Sequence, residues 1–170
     1  MKVKIKVSIK RKIIIKIKET ISKIILYFLY KGFQILYKYD ENLKYEINNL
    51  EDNFSIKLQL KNKGYSLILV KTSSSIKRVK SLSNPDIVIC FKSVDSAFNV
   101  LIGRIGISTA YARHSFTLKG DISTAISIVR CINIIEAYLF PKFITKNILK
   151  EIPKKNLSII STYIHVLINN

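Results

Sequence analysis

The stretch HSFTLKGDISTAISIVRCINIIEAYLF (residues 114–140) decides how the chain folds, because a short alternating segment passes directly into a long apolar one. Phe116 and Leu118 alternate with polar residues, which predicts a strand. From Ile122 onward apolar residues recur at helical spacing, so strand and helix meet at Gly120-Asp121. That dipeptide either holds a phosphate at a helix start or only turns a strand into a helix.

The Gly-Asp pair is better explained as a turn with a helix cap. A dinucleotide-binding turn needs several glycines, so that the backbone can approach the pyrophosphate. Here one glycine is followed by an acid, and the carboxylate would repel phosphate. We therefore predict that Asp121 accepts hydrogen bonds from the first free N–H groups of the helix.

The same reasoning extends outward along the chain. Short apolar segments between turns predict strands at 54–60, 65–71, 75–82, 86–91 and 115–119, of which the first and last alternate and the first three form an antiparallel meander. Asn62-Lys63-Gly64 predicts the first hairpin turn, with Gly64 supplying a positive φ. Helical spacing predicts helices at 13–38, after Ser93, from residue 122, and again from Pro141. This order is typical of the α+β class.

The segment 13–38 carries two apolar faces, with residues 2–12 ambiguous between strand and helix. One face holds Ile14, Ile17, Ile21, Ile24, Phe28 and Ile35. The other holds Leu26, Leu29, Phe33 and Leu36. Together they offer more apolar surface than one side of a small domain can cover.

Positive charge is concentrated in the N-terminal part of the chain. The sequence has 29 Lys and Arg against 11 Asp and Glu, and residues 1–39 hold eleven of the cations with a single acid, Glu19. Such charge suits nucleic acid or an anionic membrane, although abundant Ile, Lys and Asn also follow from an AT-rich genome. The candidate anion or membrane contacts are Lys10, Arg11, Lys12, Lys16, Lys142, Lys146 and Lys150. A nucleic-acid-binding module is the alternative, but it lacks a groove-reading helix or an aromatic strand platform.

Catalytic and metal-binding patterns are missing from the sequence. GxSxG, HExxH and P-loop motifs are absent, and His114 and His165 have no nucleophile motif nearby. Cys90 and Cys131 lie apart in apolar segments without a cluster of ligands. We expect no enzyme, no cofactor and no metal. Residues 122–140 contain Arg130 and Glu136, so we expect no membrane-spanning segment and a cytoplasmic location.

Residues 84–104 (NPDIVICFKSVDSAFNVLIGR) and 107–130 (ISTAYARHSFTLKGDISTAISIVR) resemble the sterol carrier protein type two family. The matching features are Pro85-Asp86, Phe91, Ala97, Gly103-Arg104, Ala110, Phe116, Leu118 and Gly120-Asp121. The resemblance implies a five-stranded mixed, mostly antiparallel sheet covered by helices around an apolar tunnel. By matching position, the tunnel would be lined by Phe91, Phe98, Leu101, Phe116, Ile122, Ala125, Ile126 and Val129.

The resemblance also implies a function. Its members bind or transfer fatty acids, acyl-CoA, sterols or phospholipids. Here a basic amphipathic helix at 1–39 would precede a lipid-binding domain at 40–152 and a packing segment at 153–170. The chain departs from the family in Arg113-His114 before the last strand and in a C-terminus without the peroxisomal address. We expect a lipid-binding protein that is peripheral at an anionic membrane, with a homodimer through the first helix as the alternative to membrane contact.

Overall fold

A computed structural model describes residues 9–73, 75–149 and 164 of the chain. The elements follow one another as α1 (Ile9–Tyr39), α2 (Glu41–Asn48), β1 (Ser55–Gln59), β2 (Ser66–Thr72), β3 (Ser75–Val79), β4 (Ile87–Phe91), α3 (Val94–Leu101), α4 (Ile107–Ala112), β5 (Phe116–Lys119), α5 (Ile122–Leu139) and α6 (Lys142–Ile148). This order confirms the predicted α+β class. The predicted C-terminal segment, 153–170, with its His165, lies outside the described residues apart from Ile164.

Five strands form one mixed sheet in the order β3-β2-β1-β4-β5. The first three make the predicted antiparallel meander, in which Ile56 pairs with Leu69. β4 lies parallel to β1, with Ile56 opposite Ile87, and β5 pairs antiparallel with β4. Because side chains alternate across a strand, Ile87, Ile89 and Phe91 all enter the core from one face of β4. The mixed five-stranded sheet that we expected is therefore confirmed.

The turn between β1 and β2 differs from the prediction in one detail. We expected the positive φ at Gly64, but it falls at Lys63, whose φ is 55°. The Gly64 N–H donates to the carbonyl of Lys61 over 2.9 Å, so the turn encloses Asn62 and Lys63. The hairpin forms as predicted, and only the assignment of its left-handed residue was wrong.

Helix α1 runs through the predicted range and begins earlier, at Ile9. Its second half belongs to the core: Leu26, Leu29, Phe33 and Leu36 are all buried. Gly32 lets α1 approach α5, because a Cβ there would collide with the side chain of Ile135. The first half of α1 is not covered in the same way, because its isoleucines are exposed to solvent. The helix thus shares one core with the strands, while the division of the chain at residue 39 stays a prediction.

The junction between β5 and α5 confirms the cap that the sequence predicts. Gly120 has a φ of 118°, and a Cβ there would strike the backbone carbonyl of Asp86. The Asp121 side chain accepts a hydrogen bond from the Thr124 N–H at 2.7 Å. Hydrogen bonds from the Thr124 backbone and hydroxyl hold the pKa of Asp121 below its usual range. The dipeptide turns a strand into a helix.

Helix α5 is the central helix of the fold. Among the described helices, it alone is long and apolar enough to cross a membrane. Buried core helices of soluble proteins are often equally long and apolar. Its second half is buried from Ile134 to Leu139. On its surface, Arg130 donates two hydrogen bonds to the carboxylate of Glu46, at 2.6 and 2.9 Å. Packing inside the domain accounts for its apolar character.

A buried polar contact joins α5 to the start of α2. The Tyr138 hydroxyl donates to one oxygen of Asp40 at 2.7 Å, and the other oxygen accepts from the Leu43 N–H at 2.9 Å. Asp40 therefore caps α2 and also satisfies a buried phenol. This contact holds α2 against the C-terminal half of α5.

Candidate functional site

An apolar cleft of about 310 Å³ opens between the β4–β5 edge of the sheet, α4 and the first half of α5. Its volume falls within the range of roughly 300–1,000 Å³ that is typical of small-molecule sites. Hydroxyl groups of one serine and one tyrosine are the only side-chain polar groups on its wall within the described residues. The wall consists of Ile89, Ile107, Ser108, Tyr111, Phe116, Leu118, Ile122, Ala125, Ile126 and Val129.

The short helix α4 forms one side of the cleft because of its spacing and its ends. Ile107 and Tyr111 stand four residues apart, so both side chains point to the same side. The helix ends at Ala112, and His114 then adopts a left-handed φ of 52°, which redirects the chain into β5. β5 contributes Phe116, whose ring lies 5.7 Å from that of Tyr111.

The cleft is open to solvent at its rim. Ile122 is 62% exposed, Ile126 is 51% exposed and Tyr111 is 52% exposed. Large apolar side chains at this level of exposure, grouped around a concave surface, are typical of a ligand or partner site. Deeper in the cleft, Ile89 and Ala125 are buried.

The structure brings together five of the eight residues that the sequence predicts for a tunnel. Phe116, Ile122, Ala125, Ile126 and Val129 line the cleft. The other three, Phe91, Phe98 and Leu101, do not, although the Phe91 ring lies 5.5 Å from that of Phe116.

Two of those three reach a smaller cavity, and the third lies near the surface. Phe91 and Leu101 line an inner cavity of about 30 Å³. Phe98 is half-buried, with the Lys18 ammonium 5.5 Å from its ring centroid. Lys18 also pairs with Asp95 over 2.5 Å, so this part of α3 serves to hold α1.

Five lining residues were missed by sequence reasoning: Ile89, Ile107, Ser108, Tyr111 and Leu118. Alternation along β4 and β5 could have identified Ile89 and Leu118, since they share a face with Phe91 and Phe116. The i, i+4 pair in α4 could have identified Ile107 and Tyr111.

The inner cavity contains one polar side chain, Glu136 of α5. Twelve apolar residues form the rest of its wall: Ile25, Leu26, Leu29, Leu58, Ile89, Phe91, Val100, Leu101, Ile107, Ile132, Leu139 and Phe140. Ile89 and Ile107 also line the outer cleft, so the two spaces adjoin. Glu136 is 7% exposed, and burial raises the pKa of its carboxyl to about 8.

The described residues among the predicted cationic contacts lie on two helices. Lys10, Arg11, Lys12 and Lys16 are exposed on the first half of α1, and Lys142 and Lys146 are exposed on α6. Lys150 lies outside the described residues. The first group shares its helix segment with four isoleucines that are each more than half exposed: Ile9, Ile13, Ile14 and Ile17.

Reactive groups are sparse in the described part of the chain. Residues 9–73 and 75–149 contain no group of three or more His, Cys, Asp or Glu side chains suited to a metal ion. Burial raises the pKa of the Cys131 thiol to about 12, so it stays protonated and unreactive. His114 is exposed at the turn before β5.

Comparison with known proteins gives structural similarity at low sequence identity. No protein-family model matches the chain, and no curated protein matches it. Among solved structures, a UbiJ-SCP2 ubiquinone synthesis protein is 18% identical, with a TM-score of 0.45 over 71% of this chain and 96% of that protein. Sterol carrier protein 2 like 2 from Aedes aegypti is 13% identical, with a TM-score of 0.37 over 56% and 94%. A palmitated form of SCP2L2 from the same organism is 14% identical, with a TM-score of 0.35 over 57% and 93%.

Proposed function

We propose that this protein binds a lipid with a fatty-acyl or sterol-like apolar body in the cleft between β4, β5, α4 and α5. The observation that carries the proposal is the open apolar cleft of about 310 Å³ with exposed isoleucines at its rim. Binding is by burial, without covalent chemistry, and the protein is not an enzyme. The cytoplasmic location expected from the sequence is part of the same proposal.

Burial alone supplies sufficient affinity for such a ligand. Each methylene that leaves water contributes about 0.8 kcal/mol. Eight buried methylenes therefore contribute roughly 6 kcal/mol before the entropic cost of binding is subtracted. The wall needs no strong polar group to hold an acyl chain, and its apolar composition meets this requirement.

The direct test is extraction of lipid from protein purified without detergent, followed by mass spectrometry, together with displacement of a bound fluorescent alkyl probe. We expect Ala125→Phe to weaken probe binding at least about tenfold, because a buried alanine on the cleft wall would be replaced by a ring that fills the space. The matched control is Ala112→Phe, which makes the same change at an exposed position outside the cleft.

Two outcomes would reject lipid binding in the cleft. The first is a protein that carries no lipid and takes up no probe. The second is equal weakening by the two phenylalanine variants, with thermal unfolding confirming that both are folded.

Transfer between vesicles is a separate property, and it is measured by the rate at which labelled lipid leaves donor vesicles in the presence of the protein.

A second candidate function is docking on an anionic membrane through the first half of α1. Ile13 and Ile17 are each 53% exposed and Ile24 is 51% exposed, and helical spacing places all three on one side. Lys12 and Lys16 are exposed on the same segment. An amphipathic helix of this kind suits the headgroup boundary, where each cation near an anionic surface contributes about 1 kcal/mol.

Vesicle flotation tests this docking. We expect binding to phosphatidylcholine vesicles that contain phosphatidylglycerol, weaker binding to phosphatidylcholine alone, and loss of binding in high salt. A triple change of Ile13, Ile17 and Ile24 to serine should reduce binding at least tenfold. If the triple serine variant binds vesicles as the wild type does but loses a dimer in light scattering, Ile13, Ile17 and Ile24 contact a second copy of the chain instead. Stronger, salt-dependent binding to duplex DNA than to vesicles would favour the nucleic-acid alternative.

A further inference from the structure

Glu136 is a buried carboxyl that nothing in the fold explains. Within the described residues no hydrogen bond or ion pair reaches its side chain, and burial is the sole cause of its raised pKa. Buried polar groups in native proteins are nearly always paired, and an unpaired one requires a reason. Replacing it by an apolar residue would remove a desolvation cost from the core. Its presence therefore points to a partner that is not part of the described chain.

The position of Glu136 on α5 joins it to the outer cleft. Ile122, Val129 and Glu136 are spaced by seven residues, so all three side chains lie on one face of the helix. Along that face the distance from Val129 to Glu136 is about 10 Å, at 1.5 Å per residue. Ile89 and Ile107 stand between the two spaces and line both. Because the two spaces share these wall residues, a ligand that occupied both would place one of its ends beside the carboxyl.

The chemistry of the inner cavity restricts what can occupy it. Its volume of about 30 Å³ accommodates a group the size of a water molecule. The protonated carboxyl donates one hydrogen bond and accepts others. An ionised headgroup would lose its hydration there without a counterion, since every other wall residue is apolar. A neutral hydroxyl or carbonyl fits both the volume and the hydrogen-bonding capacity.

We propose that Glu136 is the inner polar end of the binding site, and that it selects a lipid whose buried terminus carries a neutral hydroxyl or carbonyl group over one that ends in plain hydrocarbon. This inference rests on the proposed function, because it concerns the ligand of the same cleft. It makes Glu136 a specificity-determining residue. It also assigns an orientation to the ligand, with the polar end inside and the apolar body along α5.

The test compares two chains of equal length, decane and decanol, by displacement of an uncharged fluorescent alkyl probe from the full chain. The quantity measured is the decane-to-decanol ratio of Kd, since a ratio cancels any general change in affinity. We expect Glu136→Leu to lower this ratio at least about fivefold, because the leucine variant loses one net hydrogen bond to decanol and a change of this size corresponds to one such bond. Glu136→Gln keeps a donor and an acceptor in the same shape, so it should retain the ratio within about twofold. Glu136→Met serves as a second apolar variant if the leucine protein does not fold.

Each outcome has a definite meaning. A lower ratio in the apolar variants with retention in the glutamine variant supports the assignment. The same ratio in all variants, with both ligands bound, overturns the role of Glu136 and leaves the cleft intact as a lipid site. Preference for decylamine over decanol would also overturn it, because the buried partner would then be a cation. Binding of neither chain by the wild-type protein would reject the lipid site itself, and this inference with it.

Discussion

The stability of this protein should depend on pH through Glu136, and the size of the effect follows from its burial. Burial raises the pKa of this carboxyl from its ordinary value of 4.5 to about 8 in the folded protein. Because the folded value is the higher one, the protonated form stabilises the fold. That contribution is complete below pH 4.5, falls as pH rises, and is lost as pH passes through 8. Each pH unit within this window costs about 1.4 kcal/mol.

Between pH 5 and pH 7 the expected loss is roughly 2–3 kcal/mol, which is a large part of the 5–15 kcal/mol that typically separates folded and unfolded states. Among the described groups whose pKa is shifted, no other produces this slope. The wall of the inner cavity has no second titratable side chain. Cys131 on the same helix has a pKa of about 12, above the window. The pKa of Glu19 is lowered by hydrogen bonding to Lys23, so it titrates below the window with the opposite sign.

The assay is urea denaturation of the wild-type protein and of Glu136→Gln at pH 5, 6, 7 and 8. The glutamine variant keeps the size and shape of the side chain but cannot ionise, so the difference between the two curves isolates this one carboxyl. We expect the free energy of unfolding of the wild-type protein to fall relative to the variant by roughly 1 kcal/mol per pH unit. Parallel curves would refute the reasoning, since they would mean that the carboxylate is stabilised in the folded state.

Further predictions concern the fold and can be checked by thermal and chemical denaturation. Gly120→Ala should cost about 2 kcal/mol or more, because φ is 118° and the added Cβ meets backbone. Leu36→Ala should cost about 2–5 kcal/mol, since this side chain is fully buried. Ile17→Ala should change stability by less than about 0.5 kcal/mol, because it is 53% exposed; a large loss would place this residue in the core. Asp40→Ala should cost about 2–4 kcal/mol, because it removes the cap of α2 and leaves the Tyr138 hydroxyl without this partner.

Local patterns predicted most of the elements. Short apolar segments bounded by turn residues identified all five strands to within about three residues, and capping residues located the starts of α3 and α5 at Ser93 and Asp121. The left-handed residue of the first hairpin was misassigned, because glycine permits a positive φ without requiring it. Lys63 adopts that conformation in its place.

The site was predicted less completely than the fold. The α5 residues were found because one helical face follows directly from spacing. Phe91 and Leu101 were assigned to the same wall, but they line the inner cavity and not the outer cleft. Sequence spacing identifies which residues share a face of a helix or strand. It does not tell which other element packs against that face.

The sequence by itself determined the α+β order, the Gly120-Asp121 turn, the concentration of charge in α1 and the existence of two apolar faces on that helix. These features depend on neighbours within one or two turns, so local steric and hydrogen-bonding preferences are sufficient to specify them. Only the tertiary structure decided which face of α1 is covered, that the cleft opens beside α4, and that Glu136 is buried with no partner in the described chain. Each of these depends on contacts between segments far apart in sequence, and burial is a property of the packed whole.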